Sequence, residues 1–323
     1  MSVKASAPGK VIIAGEYAVL DGAPVICMAV DRRAHVLVLQ NTDGGYVISA
    51  PGLSDEARRY ASMSECADDL PLLAAVWQQL APVSVEHLSI ELDSSEFVSA
   101  AGAKIGVGSS AAVAVALTAA LGRTVGTSED IHQLATAAHQ QFQGGSGSGV
   151  DIACSVAGGV IEFRMGEAES HALDWPVGLH YALLWSGQSS DTGAQLKKLA
   201  STKPHPSRAD LFIAAEEFAK VWHAGQAAAI VTALGDYTTA LQRFDAGHQL
   251  GIFAAGHAEL AGKSKGSDVV YKPCGAGGGD LGIAVSADRS ALDAFLGTAS
   301  DHGFERIDLA IDTTGVVVEG STS

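Results

Sequence analysis

Residues 104–121 read KIGVGSSAAVAVALTAAL, a glycine-rich loop that leads directly into an apolar segment. Gly106 and Gly108 allow backbone N–H groups to approach a ligand closely, because glycine has no Cβ and tolerates positive φ. The alanines and leucines that follow favour a helix over residues 109–121, with Ser109 or Ser110 as its N-cap. Free N–H groups and the positive dipole end of such a helix attract an anion, so the stretch predicts a phosphate site.

Two further glycine-rich runs occur in the chain, and each carries a charged residue. QGGSGSGVD at 143–151 ends on Asp151, and KPCGAGGGDLG at 272–282 begins with Lys272. A single glycine run is often only a mobile turn. Three runs, each with a lysine or an aspartate attached, indicate several backbone segments that approach one anionic ligand.

Other glycine-loop proteins are alternatives for residues 106–111. This loop formally matches the dinucleotide fingerprint G-x-G-x-x-A, but that fingerprint directly follows a buried strand, whereas residues 94–104 are small and polar. No Gly-Lys-Ser/Thr follows to make a P-loop, and the second glycine of a nucleophile elbow is missing. Ser110, at the start of the helix, can supply a metal ligand, although Ser109 and Ser110 fit equally well as simple caps.

Composition excludes several classes of function. The chain has 323 residues, enough for two ordinary domains, and a net charge of −16 that disfavours nucleic-acid binding. Its longest apolar stretch, residues 111–121, is too short to span a membrane. The cysteines at 27, 66, 154 and 274 lie too far apart for a disulfide framework or a zinc site. The N-terminus lacks a signal-peptide pattern, so the sequence predicts a cytoplasmic protein.

The pattern along the chain predicts a mixture of strands and helices. Strands are expected near 11–13, 25–30, 35–39, 88–92, 159–163, 181–185, 269–271, 283–285 and 315–318, with a hairpin-type turn at Asp21-Gly22. Helices are expected over 70–80, 109–121, 128–142, 210–223, 226–244, 250–260 and 290–296. A polar stretch at 165–172 predicts a boundary between domains 1–168 and 169–323.

Three segments together resemble the GHMP superfamily of small-molecule kinases, named for galactokinase, homoserine kinase, mevalonate kinase and phosphomevalonate kinase. They are APGKVIIAGEYAVL at 7–20 and the glycine loops at 106–112 and 275–282. The resemblance implies an α+β, two-domain fold. Its N-terminal domain would be ribosomal-protein-S5-domain-2-like and would carry the first two motifs. The C-terminal domain would be ferredoxin-like and would carry the third, with the active site in the cleft between the domains.

Within the superfamily the sequence is most similar to the phosphomevalonate kinases, chiefly through GSGVDIACSVAGG at 147–159. Mevalonate kinases usually have His where this chain has Tyr17, and Glu where it has Gln140. One departure is SGQSSDT at 186–192, which replaces a Thr-Gly-x-x-Ala-Ser-Thr segment of the phosphomevalonate kinases. Asp191 in this segment would repel a substrate phosphate if it pointed inward.

The resemblance implies ATP- and Mg²⁺-dependent phosphorylation of (R)-5-phosphomevalonate to (R)-5-diphosphomevalonate, a step of isoprenoid biosynthesis, by direct in-line transfer. One alternative is mevalonate kinase or another GHMP small-molecule kinase. A second alternative is a catalytically silent sensor of the same fold that binds a small ligand to control a partner. Either way the expected partners are small molecules rather than nucleic acid or membrane, and the chain would be a monomer or a homodimer.

The resemblance also assigns roles residue by residue. Asp151 would orient or deprotonate the acceptor hydroxyl, although it also fits a helix cap, and Lys10 would stabilise the transferring phosphoryl group. Ser110 and Asp151 are the expected Mg²⁺ ligands. The expected ATP contacts are Gly106, Val107, Gly108, Ser109, Ser110, Ala111, Gly275, Gly277 and Gly278.

The expected acceptor contacts are Glu16, Lys104, Ser148, Gly149, Ser190, Thr192 and Lys272. Of these, Glu16 fits a structural ion pair equally well. Lys10, Lys104 and Lys272 all lie in or beside glycine motifs of an acidic chain, so they predict a local positive region for two anionic substrates. His139 shows no metal-ligand spacing and is expected to be a packing or surface residue.

Overall fold

A computed structural model describes residues 2–42, 44–50, 56–82, 87–99, 102–145, 147–167 and 169–321. Ser146 of the second glycine run and residue 168 at the predicted domain boundary lie outside these residues. The described part of the chain forms two sheets, one of eight strands and one of four, with helices packed on them. The α+β fold class is therefore confirmed.

Strands and helices alternate irregularly along the described residues. In chain order the strands are β1 (Ser2–Ala14), β2 (Val25–Gln40), β3 (Tyr46–Ser49), β4 (Arg58–Tyr60), β5 (Leu88–Asp93), β6 (Val160–Phe163), β7 (His171–Leu173), β8 (His180–Trp185), β9 (Val269–Pro273), β10 (Leu281–Ser286), β11 (Glu305–Ile307) and β12 (Val317–Ser321). The helices are α1 (Pro71–Leu80), α2 (Ser109–Val125), α3 (Ile131–Phe142), α4 (Val150–Ala157), α5 (Thr192–Ser201), α6 (Ser207–Ala224), α7 (Ala227–His248), α8 (His257–Ser264) and α9 (Arg289–Asp301). Among these helices none combines the length and the apolar character that a membrane crossing requires.

The larger sheet is built on the long antiparallel pair β1 and β2, which are joined by a 3-10 helix at Ala18–Asp21. Gly22, with φ of 87°, ends that helix in the left-handed conformation. The hairpin turn expected at Asp21-Gly22 is therefore wrong, since glycine here terminates a helical turn. β2 also continues through residues 31–34, where Arg33 and Ala34 pair with Pro8 and Ala7 of β1 next to a register shift.

Helix α2 forms the centre of the N-terminal core. Its residues from Ala111 to Gly122 are buried, and it packs on β1, β2, α3 and α4. Alanine allows this packing because its small side chain lets neighbouring elements approach closely on every side of the helix. A helix with apolar residues on all sides is expected to be buried in the core.

The smaller sheet has the strand order β11-β8-β10-β9, and each neighbouring pair is antiparallel. If its four strands are numbered in chain order, their order across the sheet is 4-1-3-2. Helices α5–α8 follow the first of these strands in the chain, and α9 follows the third. This β-α-β-β-α-β arrangement is ferredoxin-like. The third glycine run joins β9 to β10, as the sequence predicts.

Two segments beyond the predicted boundary join the larger sheet. β7 pairs with β6, and the last strand, β12, pairs with β1. The domain boundary between residues 168 and 169 stays a prediction. Residues 317–321, from the predicted C-terminal domain, lie in the larger sheet. The single helix expected over 250–260 is wrong, because glycines 251 and 256 adopt positive φ and the helix α8 begins only at His257.

The packing of α2 predicts a large loss of stability for Leu117→Ala. The Leu117 side chain is fully buried, so truncation removes apolar contacts and leaves a cavity that costs about 2–5 kcal/mol. Urea denaturation at pH 7 measures the loss. As a control, Ile213→Ala on α6, where the residue is 59% exposed, should change the free energy of unfolding by less than about 0.5 kcal/mol. Equal effects of the two variants would contradict the description of the core.

Candidate active site

The three glycine-rich runs meet around the side chain of Lys10. Its Nζ lies 3.1 Å from Oδ1 of Asp151, at the end of the second run. A Cβ added to Gly108 in the first run would lie only 2.9 Å from Cε of Lys10. A Cβ added to Gly106 would lie 2.4 Å from Cβ of Asp280, in the third run. Segments far apart in sequence thus form one site.

Local structure fixes both members of the Lys10–Asp151 pair. Lys10 lies in β1, and its backbone N–H donates to the carbonyl of Val107 at 2.8 Å, which joins the strand to the glycine loop. Asp151 lies in the first turn of α4, whose N-cap is Gly149 in the left-handed conformation. A carboxylate in a first turn is stabilised by the positive end of the helix dipole. Asp151 is thus held toward Lys10 without serving as the N-cap, the alternative role that its position allowed.

Lys10 stays protonated in this pair. Burial by itself lowers the pKa of the ammonium, but the neighbouring carboxylate of Asp151 outweighs that effect and holds the pKa above its ordinary value. The Lys10 side chain is 10% exposed and that of Asp151 is 29% exposed, so the carboxylate is the member that a solute can reach.

The start of α2 differs from the prediction. The N-cap is Gly108, with φ of 76°, and no side chain caps the helix, so the expected capping by Ser109 or Ser110 is wrong. The Ser110 hydroxyl lies 3.0 Å from Nε2 of His139 on α3. Burial lowers the pKa of His139, with Asp151 opposing and Lys10 reinforcing the shift, so the imidazole is neutral at pH 7. His139 is a residue of the site that the sequence interpretation left out, since no local pattern links residues 110 and 139.

A cleft with a cavity volume of about 90 Å³ opens beside the Lys10–Asp151 pair. It lies between the N-terminus of α4, the N-terminus of α5 and the third glycine run. Seven predicted site residues line it: Lys10, Glu16, Ser148, Gly149, Asp151, Thr192 and Gly275. The other lining residues are Ile12, Tyr17, Val19, Leu20, His139, Gln143, Gly147, Val150, Leu196 and Ala276, several of which form an apolar wall that the sequence pattern did not indicate.

Glu16, which follows β1 of the larger sheet, forms an ion pair with Lys272 in β9 of the smaller sheet. Both side chains are almost completely buried, with exposures of 2% and 0%. The hydroxyl of Tyr237 on α7 also donates to Glu16 Oε2, at 3.1 Å. Burial raises the pKa of Glu16, and the charge of Lys272 acts against that shift. Lys272 pairs with Glu16 and does not line the cleft, so the ion-pair alternative fits Glu16, and the expected contact between the Lys272 ammonium and a substrate stays a prediction.

The third glycine run is fixed by neighbours on several sides. The Tyr17 hydroxyl donates to the carbonyl of Ala276 at 2.6 Å. The N–H of Gly278 donates to the Ile252 carbonyl at 2.8 Å, so this N–H is not free for the phosphate contact that was predicted. Gly277 also packs closely against Ile252, since an added Cβ would lie 2.5 Å from its carbonyl oxygen. Of the predicted glycines in this run, Gly275 is the one that lines the cleft.

His257 supports the far end of the same run. Its Nε2 lies 3.1 Å from the carbonyl of Gly279, and its Nδ1 lies 2.7 Å from the Tyr271 hydroxyl. Because a carbonyl only accepts, Nε2 carries the proton and Nδ1 accepts from tyrosine. Burial lowers the pKa of His257 to about 4, and the histidine is therefore neutral in the folded protein at pH 7.

Two further predicted acceptor contacts, Lys104 and Ser190, do not line the cleft. Lys104 is exposed, and its carbonyl accepts from the Ser189 hydroxyl at 3.5 Å. The Ser190 hydroxyl donates to Oδ2 of Asp280 at 3.0 Å. Asp191 caps α5 by accepting from the N–H of Ala194 at 3.1 Å, and it does not line the cleft. The predicted repulsion between Asp191 and an anionic ligand therefore loses its structural basis.

The chemistry of the residues present fits magnesium and phosphate groups. Among the described residues no cluster of three or more His, Cys, Asp or Glu side chains could hold a metal ion alone. Mg²⁺ usually takes one or two protein oxygens and completes its shell with water and phosphates. The partly exposed carboxylate of Asp151 and the hydroxyl of Ser110 offer such oxygens, and the first turn of α2, uncapped by any side chain, offers N–H groups to phosphates.

The buried neutral His257 predicts an acid-dependent loss of stability. Its folded-state pKa of about 4 lies below the ordinary value of 6.5. Between these two pH values the histidine is protonated in the unfolded chain but neutral in the native state. Stability is complete above pH 6.5 and falls toward pH 4, by up to about 3 kcal/mol from this residue. Urea denaturation at pH 7 and 4.5 should show a weaker pH dependence for His257→Gln than for the unmodified chain. His171→Gln on the surface is the control, and an equal pH dependence for His257→Gln and the unmodified chain would contradict the assignment.

Comparison with known proteins finds similarity to small-molecule kinases. Residues 73–159 match the family model described as GHMP kinases N terminal domain. The mevalonate kinase of Thermococcus gammatolerans is 34% identical over 188 residues, which cover 52% of this chain and 54% of that protein. The chain thus spans about half the length of the first archaeal relatives that it matches. The phosphomevalonate kinase of Streptomyces sp. strain CL190 is 27% identical over 350 residues, covering 89% of this chain and 90% of that protein.

Among solved structures, the phosphomevalonate kinase of Streptococcus pneumoniae in complex with phosphomevalonate and AMPPNP is similar throughout. It has a TM-score of 0.80 and 19% identity, with 96% of this chain and 99% of that chain covered. This likeness shows the fold. Residues 73–159 are thus similar to the N-terminal domain of the GHMP kinases, and the chain shares its fold with the phosphomevalonate kinase of Streptococcus pneumoniae.

Proposed function

We propose that the protein is an ATP-dependent kinase that phosphorylates a hydroxyl group of a small molecule. The observation that carries the proposal is the 3.1 Å pair of Lys10 and Asp151, at the edge of a cleft beside the uncapped start of α2. Phosphoryl transfer requires mainly positioning and charge stabilisation from a protein, and these are the groups present. A catalytically silent sensor would not need a lysine and a carboxylate held together at the same point.

The residues divide the work of the proposed reaction. The first turn of α2 and the loop from Gly106 would bind the phosphates of ATP through backbone N–H groups. Asp151 would accept or orient the proton of the acceptor hydroxyl, and Lys10 would stabilise the charge on the transferring group. Mg²⁺, held by Asp151 and Ser110, would neutralise charge on the ATP phosphates when bound. We also propose that the reaction takes place in the cytoplasm.

The proposed acceptor is (R)-5-phosphomevalonate, and the product (R)-5-diphosphomevalonate. The alignment with the Streptomyces phosphomevalonate kinase covers most of both chains, whereas the alignments with the archaeal mevalonate kinases cover about half. The cleft wall adds the uncapped N-terminus of α4, with Ser148, and the hydroxyl of Thr192, which suit an anionic group. Mevalonate is the alternative acceptor, favoured by the higher identity of 34% to a mevalonate kinase.

The first prediction for this function concerns the Lys10–Asp151 pair. Asp151→Asn removes the proton acceptor and Lys10→Ala removes the positive charge, so each should lower turnover by about 100-fold or more. ATP binding should persist in both, because the proposed phosphate contacts lie on the α2 loop. ADP release measures turnover and calorimetry measures binding. The control is Lys4→Ala, which changes an exposed lysine of the same strand. Near-normal turnover in both Asp151→Asn and Lys10→Ala would contradict the proposed mechanism.

A second prediction concerns the acceptor. ADP release measured with phosphomevalonate, mevalonate, homoserine and galactose should give a kcat/KM for phosphomevalonate at least tenfold above that for mevalonate. The physical reason is that a phosphate tail gains contacts with N–H groups at the start of α4 and with the hydroxyls of Ser148 and Thr192. A preference for mevalonate would establish the alternative acceptor. Absence of ADP release with every compound would favour the silent sensor.

A further inference from the structure

Asp280 adopts a backbone conformation that side chains rarely occupy. Its φ is 54°, in the third glycine run, where Gly275, Gly277 and Gly278 also have positive φ. Aspartate tolerates this region better than most residues, yet a non-glycine residue there still costs on the order of 1 kcal/mol. Glycine would relieve that strain, and the three positions before Asp280 are glycines. The side chain of Asp280 therefore needs an explanation other than backbone geometry.

The contacts of Asp280 join two segments that flank the cleft. Its carboxylate accepts from the Ser190 hydroxyl at 3.0 Å, and its backbone N–H donates to the carbonyl of Gln188 at 2.6 Å. Its carbonyl accepts from the N–H of Ser186 at 2.9 Å. On the other side, its Cβ and carboxyl carbon lie against Gly106, at a place where any side chain at 106 would collide with it.

The charges around Asp280 belong to the proposed active site. Lys10 and Lys104 are the cations that face its carboxylate, and the side chain is partly withdrawn from water. The carboxylate has no ion pair of its own within 4 Å among the described residues. A carboxylate of this kind acts mainly through the groups that it holds in place, here Ser190 and the backbone at 106.

We propose that Asp280 is a positioning residue that fixes the segment before α5, residues 186–191, against the loop at 106–110. The inference rests on the proposed function, in which the loop at 106–110 binds ATP and Thr192, directly after this segment, contacts the acceptor. In-line transfer depends on the alignment of the two substrates, and a misplacement of about 1 Å can cost about 100-fold in rate. Asp280 acts through Ser190 and Gly106 and touches neither reacting group.

The central test is Asp280→Gly, which removes the side chain and relieves the positive φ. Its stability to urea should be equal to or higher than that of the unmodified protein, because glycine favours this conformation. At the same time kcat should fall at least tenfold, while the KM values for ATP and acceptor change less than threefold, since contacts to each substrate remain. Asp280→Asn, which tolerates positive φ and still accepts from Ser190, should restore kcat to within threefold.

Two controls separate positioning from a structural effect. Ala81, at the end of α1 and away from the cleft, also has positive φ, so Ala81→Gly relieves similar strain and should leave kcat within twofold. Ser190→Ala should add little to the loss in Asp280→Gly, because both changes remove one hydrogen bond. A kcat for Asp280→Gly within twofold of normal, or an Asp280→Asn variant as slow as Asp280→Gly, would overturn the proposal.

Hydrogen exchange tests the same inference without activity. Amides in peptides 104–109 and 186–191 should exchange at least fivefold faster in Asp280→Gly than in the unmodified protein or in Asp280→Asn. If the unmodified protein releases no ADP with any acceptor, the proposed function fails, and the exchange rates still decide the role of Asp280. Unchanged exchange in both peptides would overturn that role even if the kinase is active.

Discussion

The contact between the ammonium of Lys10 and the carboxylate of Asp151 sets the requirements that the rest of the site satisfies. The two residues are 141 positions apart in the sequence, one in β1 and the other in α4. The pair forms only if this strand and this helix are fixed in position relative to each other. The hydrogen bond from Lys10 to Val107 attaches the glycine loop to the same strand. Gly108 then lies against the lysine stem, where a side chain would push the ammonium away from Asp151. A single ion pair thus constrains a strand, a loop and a helix start.

The third glycine run is held by buried polar groups rather than by apolar packing alone. Lys272 at its start pairs with Glu16, Tyr17 binds Ala276 in its middle, and His257 binds Gly279 near its end. Burying an ion pair costs desolvation free energy that hydrophobic replacements would avoid, so stability is a weak explanation for Glu16 and Lys272. Polar contacts have directional geometry, and they can fix a flexible glycine loop in one position. This precision matters where a loop borders a cleft for reacting groups.

The sequence allows the main features of this arrangement to be predicted, but not the partners of individual charges. Glycine spacing and attached charges are local properties, so the meeting of the three runs and the hairpin around 272–282 followed from pattern alone. Lys272 has the same local pattern as a phosphate-binding lysine, yet its partner Glu16 lies 256 positions earlier, and no local property reveals that pairing. His139 and Asp280 were missed for the same reason, because their roles depend on Ser110, Ser190 and Gly106 in space.

The distribution of charge around the cleft changes the electrostatic argument that the sequence suggested. Three lysines beside glycine motifs in a chain of net charge −16 predicted a positive region. In the structure Lys272 forms an ion pair with Glu16 and Lys10 forms one with Asp151, whereas Lys104 is exposed. Attraction for anionic groups must then come largely from the N–H groups at the starts of α2 and α4, both of which begin at glycines with no side-chain cap. Such fixed dipoles act over the first helical turn only, so they position an anion precisely at short range and contribute little to its capture from a distance.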